Sequence, residues 1–265
     1  MFAARAQLAN LLSSEISVGD ENERYSFLCN TYTEYKRATT LFLKEEGTIA
    51  WLRDNLCEGD VFHDVGANIG LYTIFAADKV GPGGQVAAFE PHPANSAALM
   101  NNVMLNKMSD RVKILSCALN DTEGFLDFNL RQITAGSSMS QLSSTIDGDG
   151  EEFEPVISEL KYACTLDSLV KQGVVRTPDH VKIDVDGNEL LVLKGMKGVL
   201  SGKSRPRSLQ VEINHDSAPD VNAFMDEYGF QLGERHYTHR GKKLLKNGGD
   251  PLGIAHNAVY VPGAA

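Results

Sequence analysis

Cysteine is scarce in this chain and badly spaced for cross-linking. Cys29, Cys57, Cys117 and Cys164 include no Cys-x-x-Cys pair and have no partner histidines at zinc spacing. That pattern excludes a disulfide framework and a zinc ribbon, and marks the four as reduced thiols. Long apolar runs are missing too: nothing approaches the roughly 20 apolar residues of a membrane span. Met1 to Leu12 carries an arginine and several alanines but no continuous apolar segment of the secretory kind. A cytoplasmic location is the expectation. Positive charge is in deficit, with 25 Lys and Arg against 35 Asp and Glu and a net charge of -10. This gives no long-range attraction to nucleic acid or an anionic membrane, and favours neutral or cationic substrates. No internal repeat is present. What remains, 265 residues at 42% hydrophobic, suffices for one substantial α/β core and one main domain.

The most informative stretch is Asp60 to Gly70, Asp-Val-Phe-His-Asp-Val-Gly-Ala-Asn-Ile-Gly. Val61, Phe62 and Val65 favour a buried strand, and Gly66 and Gly70 supply the freedom of a tight turn. Ile69, Tyr72, Thr73, Phe75, Ala76 and Ala77 follow at helical spacing, up to Gly81-Pro82-Gly83-Gly84. A strand, a turn and a helix N-terminus make a nucleotide cradle. The dinucleotide fingerprint Gly-x-Gly-x-x-Gly is absent, because Asn68 stands where its second glycine belongs. That disfavours a pyrophosphate and a nicotinamide-dependent dehydrogenase. Asp64, just before the turn, would repel phosphate but suits an ammonium or sulfonium group. S-adenosylmethionine carries both cations.

Further along, strands are expected at Tyr25 to Asn30, Gln85 to Phe89, Val112 to Cys117, Gly124 to Leu130, His180 to Val185 and Leu209 to Ile213. Phe230 to Tyr237 and Ala258 to Val261 form a terminal antiparallel pair. Helices are expected over Phe2 to Leu12, Thr39 to Leu56 with a break at Gly47, Pro93 to Leu105, Thr165 to Leu169, Asn188 to Met196 and Val221 to Tyr228. Ser13 to Glu23 is polar enough for a loop. Such β-α-β alternation demands parallel strands with right-handed crossovers. Arg131 to Gly150 crowds Ser137, Ser138, Ser140, Ser143 and Ser144 together and reads as a mobile loop near the site. Asn95 and Asn102 read as an exposed helix face, and His63 as a hydrogen-bonded core histidine pointing away from Asp64.

The set Asp64-Val-Gly-Ala-Asn-Ile-Gly70, Phe89-Glu-Pro91, Ala118-Leu119 and Lys182-Ile-Asp-Val-Asp-Gly-Asn-Glu189 resembles the FkbM-type S-adenosylmethionine-dependent methyltransferases over residues 40–215, in family order. The resemblance implies an α/β class I methyltransferase fold: a Rossmann-like, doubly wound seven-stranded sheet, mostly parallel with an antiparallel last strand, plus an N-terminal extension. The domain reading is 1–40 as a helical or extended appendage, a lid or an oligomer contact, and 41–265 as the S-adenosylmethionine-binding domain. The resemblance also implies a hydroxyl of a sugar, glycolipid, polyketide or related metabolite as acceptor, hence a small-molecule or glycan partner. A non-catalytic cofactor-binding scaffold is the alternative.

Ligands of open α/β sheets bind beyond the strands' carboxyl ends. Asp64, Gly66, Ala67, Asn68 and Gly70 form the expected cofactor turn. Glu90, with Pro91, ends the next strand and can accept both ribose hydroxyls. Cys117 and Ala118 stand where the family would hold adenine, and Asn120 and Asp121 suit either its amine or a turn. Lys182, Asp184 and Asp186 alternate on one strand and share a face. Buried charges require partners, so Lys182 is expected to pair with Asp184, which also reaches the cofactor. An alcohol acceptor must lose its proton. Asp184 is the first candidate base, with Asp186, Glu189 and His215 behind it. Asp184, Asp186 and Glu189 offer the oxygen chemistry of a magnesium or calcium site, but charge balance around Lys182 is the preferred reading and no metal is assigned. Acceptor choice is expected to reside in the first 40 residues, Arg131 to Glu159 and Asp216 to Pro219.

Overall fold

The computed structural model describes residues 14–148, 150–214, 217–248, 250–251 and 253–263. The helix expected over Phe2 to Leu12 lies outside them, as do His215 and Asp216. In chain order the elements are β1 (Ser14–Gly19), β2 (Arg24–Cys29), α1 (Tyr32–Thr39), α2 (Glu46–Asn55), β3 (Val61–Val65), α3 (Leu71–Val80), β4 (Gln85–Phe89), α4 (Pro93–Leu105), β5 (Val112–Leu115), β6 (Ala118–Leu119) and β7 (Gly124–Leu130). They continue as β8 (Gln141–Leu142), β9 (Ile157–Cys164), α5 (Leu166–Lys171), β10 (His180–Ile183), α6 (Glu189–Lys194), α7 (Lys197–Ser201), β11 (Ser208–Ile213), α8 (Ala218–Glu227), β12 (Phe230–Tyr237), α9 (His239–Lys246) and β13 (His256–Pro262).

Seven strands form the main sheet in the order β12-β13-β11-β10-β3-β4-β5. The five from β11 to β5 are parallel, and β13 runs antiparallel to both β11 and β12. Order reverses at β3, where chain direction and crossovers leave a crevice at the strands' carboxyl ends. Every residue of β3 is buried, as a central strand covered on both faces requires. Val65, Phe89, Ile183 and Val211 pack against Leu193 and Met225 on one face. Phe62, Ala88, Phe75 and Leu99 fill the other, with Trp51 and Leu52.

Four local expectations are corrected. Ser13 to Glu23 is not a loop: Ser14–Gly19 pairs with Arg24–Cys29 in an antiparallel hairpin, whose Ser-rich polar positions lie at its exposed edge. The break expected at Gly47 falls instead between Thr39 and Glu46, and Gly47 lies inside α2 against His236. Asn95 and Asn102 are buried, not exposed. Asn102 Oδ1 accepts from Leu28 N at 2.8 Å and its Nδ2 donates to Ile69 O at 2.9 Å, tying hairpin to cofactor turn. His63 is fully buried, but neither ring nitrogen has a hydrogen-bond partner; it packs edge-on to Phe89 at 5.7 Å. Burial drives its pKa down to about 3, so the ring is neutral.

Gly124–Leu130 is a strand, as expected, but in a separate sheet ordered β6-β9-β7-β8. That small sheet flanks the crevice. On the main sheet's outer edge, β12 carries a bulge between Leu232 and Glu234.

Candidate functional site

At the end of β3 the chain turns through Gly66 at φ +82°, Asn68 at +51° and Gly70 at +90°. Gly66 and Ala67 both donate backbone N–H bonds to Phe89 O at 3.0 Å, fastening the turn to β4. A Cβ on Gly66 would lie 1.8 Å from Asp184 O, and one on Gly70 would lie 2.4 Å from a Leu99 methyl. Both glycines are thus required by space as well as by conformation.

Glu90 sits directly over this turn. Its Oε2 accepts from Asn68 N at 2.6 Å and its Oε1 from His92 N at 2.8 Å. Burial pushes its pKa up to about 7 against the pull of these amides. Asn68 Nδ2 and Asn95 Nδ2 both donate to Ser137 O, at 2.9 and 3.0 Å. The serine-rich segment is therefore strapped over the crevice, and Met139 N and Gln141 Nε2 extend the strap to Asp186.

Beneath the strap lies a cavity of about 270 Å³. Gly66, Ala67, Asn68, Glu90, Pro91, Cys117 and Ala118 line one part of it; Lys182, Asp184 and Asp186 line another. Lys182 Nζ donates to Asp184 Oδ2 at 2.7 Å and lies 4.9 Å from the Tyr72 ring centroid. Burial works against the Lys182 charge, but Asp184, Asp64 and Glu45 outweigh it and raise its pKa. Burial also works against the Asp184 charge, and Lys182 more than compensates, so Asp184 is held below its ordinary value. Asp186, at φ +57°, is pushed up to about 6 by burial and by the Asp184 charge.

Several residues stand elsewhere than the sequence suggested. Asp64 does not line the cavity; it is buried behind the turn, where Thr73 Oγ1 donates to its Oδ2 at 2.6 Å. Burial raises its pKa. Glu90, Asp184 and Asp186 supply the negative lining instead. Gly70 shapes the turn without reaching the cavity. Glu189 also faces away, accepting from Val185 N and Gly187 N at 3.1 Å each, and burial raises its pKa to about 7. Its place near Asp184 and Asp186 is taken by Glu212, from the end of β11; one oxygen of each lies within 4.8 Å of the others. The Asp184 charge, then burial, raises the Glu212 pKa well above the usual range. Asn120 donates to Thr122 in a turn and does not line the cavity. Cys117 and Cys164 are free thiols with sulfurs 3.5 Å apart.

Sequence reasoning missed Glu212, Arg37, Lys44 and Glu45 on the cavity wall. For Glu212 a signal existed, a charged residue ending an apolar strand. For the other three, no spacing or motif sets them apart.

Comparison with known proteins now bears on this geometry. The model of the methyltransferase FkbM domain matches residues 64–232. The hexuronic acid methyltransferase AglP of Haloferax volcanii is 32% identical over 184 residues, 69% of this chain and 68% of that protein. The 31-O-demethyl-FK506 methyltransferase FkbM of Streptomyces tacrolimicus is 28% identical over 200 residues, 66% and 74% of the two chains. A crystal structure assigned as an rRNA-methylase from Clostridium thermocellum superposes with a TM-score of 0.50 at 10% identity, over 83% of this chain and 95% of that one. That likeness is one of fold alone, the class I methyltransferase sheet. With the family's domain covering most of the chain, from the end of β3 into β12, the protein belongs to the FkbM methyltransferase family.

Proposed function

We propose that the chain transfers a methyl group from S-adenosylmethionine to a hydroxyl of a sugar, glycolipid, polyketide or related metabolite. The observation that carries this reading is Asp184: an ionised carboxylate on the cavity wall, held by a buried lysine and touching the glycine turn through its own backbone. The residues present fit the cofactor. The Gly66 turn leaves no room for a side chain, Glu90 has carboxylate lone pairs beyond the two that its amides occupy, and Cys117 and Ala118 offer an uncharged wall. When bound, the donor supplies an electrophilic methyl on a sulfonium that departs as a neutral thioether.

The chain's own contribution is position and proton management. Asp184 takes the acceptor's hydroxyl proton, and Lys182 keeps it ionised until then. Asp186 and Glu212 lie close enough to share the proton load. The Ser137 strap excludes water and holds the acceptor against the turn. The names of the two relatives, one acting on a hexuronic acid and one on a 31-O-demethyl compound, support the acceptor class. The test has two arms. S-adenosylhomocysteine should bind and stabilise the chain thermally, and extracts supplied with donor should yield a product one methylene heavier. Asp184→Asn should leave donor affinity within about threefold and slow turnover by about 10²–10⁴; unchanged turnover would remove Asp184 as the base.

A further inference from the structure

The cavity wall contributed by α1 and the segment after it differs in charge from the rest. Arg37, Thr40, Lys44 and Glu45 line it there, facing an interior whose other charged lining residues are Glu90, Asp184, Asp186, Glu212 and Lys182, the last already paired with Asp184. Lys44 is already paired with Glu45 at 3.1 Å. Arg37 is not paired with any acid. Its Nε donates to Gly136 O at 2.5 Å, and among the described residues no carboxylate lies within ion-pair distance of it. Arg53, Arg111, Arg131 and Arg207 each hold a carboxylate; among the described residues Arg24, Arg176, Arg205 and Arg235 do not, but none of these lines the cavity, as Arg37 does. In a chain with ten excess negative charges, an anchored guanidinium left without an acid, on a cavity wall, is an open half-site.

The anchoring matters chemically. With Nε fixed to the strap's carbonyl, the two terminal nitrogens remain as a planar fork, the geometry that matches a carboxylate or phosphate with two parallel hydrogen bonds. Asp186 feels the Arg37 charge yet does not close on it, which leaves a gap between the acid end and the cation. An acceptor bearing one anionic group can enter in only one orientation. Its anion is repelled from Asp184, Asp186 and Glu212 and drawn to Arg37, which turns its hydroxyl toward the acids.

We propose that Arg37 is an oxyanion subsite for the acceptor, so that the methylated compound is a hydroxy acid or hydroxy phosphate and not a neutral alcohol. The assignment rests on the reading of Asp184 as the acceptor's base, and locates the second point of attachment. The overall negative charge repels an anion at long range; the guanidinium without an acid partner sets recognition at contact.

The test is equilibrium titration of the full-length chain, with S-adenosylhomocysteine present and absent, using glucuronate, glucose 6-phosphate and glucose as probes. At least one acid should bind tenfold or more tightly than glucose. Arg37→Gln should erase that preference, and Arg37→Lys, keeping charge without the fork, should recover only part of it. A preference for glucuronate identifies a carboxylate, and one for glucose 6-phosphate a phosphate. The proposal is overturned if neither acid outbinds glucose, or if Arg37→Gln keeps the preference. It is equally overturned if that variant instead loses nucleoside affinity tenfold, which would assign Arg37 to the donor's own carboxylate. Acid preference without any nucleoside uptake would refute the cofactor reading and leave the subsite standing.

Discussion

Gly66 shows how little latitude the site allows a single residue. Its φ of +82° and the 1.8 Å approach of an added Cβ to Asp184 O mean that Gly66→Val should abolish nucleoside binding. Gly83→Ala, which meets only one atom at 3.8 Å, should not; calorimetric titration of both variants checks this. Glu90 gives a proton-linked prediction. Its pKa of about 7 in the free chain should fall when ribose hydroxyls bond to the ionised form. Nucleoside binding near pH 6.5 should therefore release protons, seen as a buffer-dependent binding enthalpy that Glu90→Gln removes. Glu189 supplies the stability counterpart. Between the ordinary glutamate value of 4.5 and about 7, the folded chain keeps a proton that the unfolded chain has lost. Stability from this group thus falls as pH rises through that window and levels off above it. Denaturant midpoints at pH 5, 6 and 8 should trace this decline, and Glu189→Gln should make it shallower, Glu90, Asp186 and Glu212 still contributing slope of the same sign. The Lys182 and Asp184 pair was legible because alternation places both on one face of a buried strand. The direction of Asp64 was not, since a carboxylate before a turn can face the ligand or the following helix, and here Thr73 decides.

The elements were mostly legible as segments and poorly legible as neighbours. Each strand of the main sheet lies where apolar alternation and flanking glycines place it, yet the role of α4 depends on what covers it. Asn102 looks like an exposed polar position until the β1–β2 hairpin lies on it; its Oδ1 accepts from Leu28 N, as that of Asn106, just past the helix end, accepts from Ser26 N. No periodicity reveals that a helix side chain is completing the edge of a distant strand. Asn102→Ala would orphan Leu28 N and Ile69 O, at about 1–3 kcal/mol for each buried group left unsatisfied. A fall of several degrees in Tm should result, with the exposed Asn101→Ala as the neutral control. Asn95→Ala acts on the strap, freeing Gly136 N and one of two bonds to Ser137 O. Its effect should appear mainly in acceptor KM.

For the whole molecule, the N-terminal segment raises the question of where the domain begins. Tyr25 and Phe27 are buried, Tyr25 packs against Phe75 at 5.8 Å, and Tyr25 Oη donates to Asp78 at 2.9 Å. Glu23 accepts from Arg53 and Lys79 at 2.6 and 2.5 Å, and its pKa falls to about 2, chiefly through the Arg53 bond. We propose that residues from the hairpin onward are part of the folding unit and not a detachable lid. Phe27→Ala should then cost about 3–5 kcal/mol, as for a core phenylalanine, whereas a dispensable appendage would leave the unfolding midpoint unmoved. No helix among the described residues is long and apolar enough to cross a membrane. The bulge at Leu232 and Glu234 has its own bearing on how copies of the chain meet. The irregularity twists the outermost strand, and the exposed Glu234 and Arg235 stud it with charge, while at the opposite margin β5 runs for only four residues. Each is a way of denying a stranger's backbone a straight ladder to join, so fibrous stacking through the sheet is discouraged at both ends.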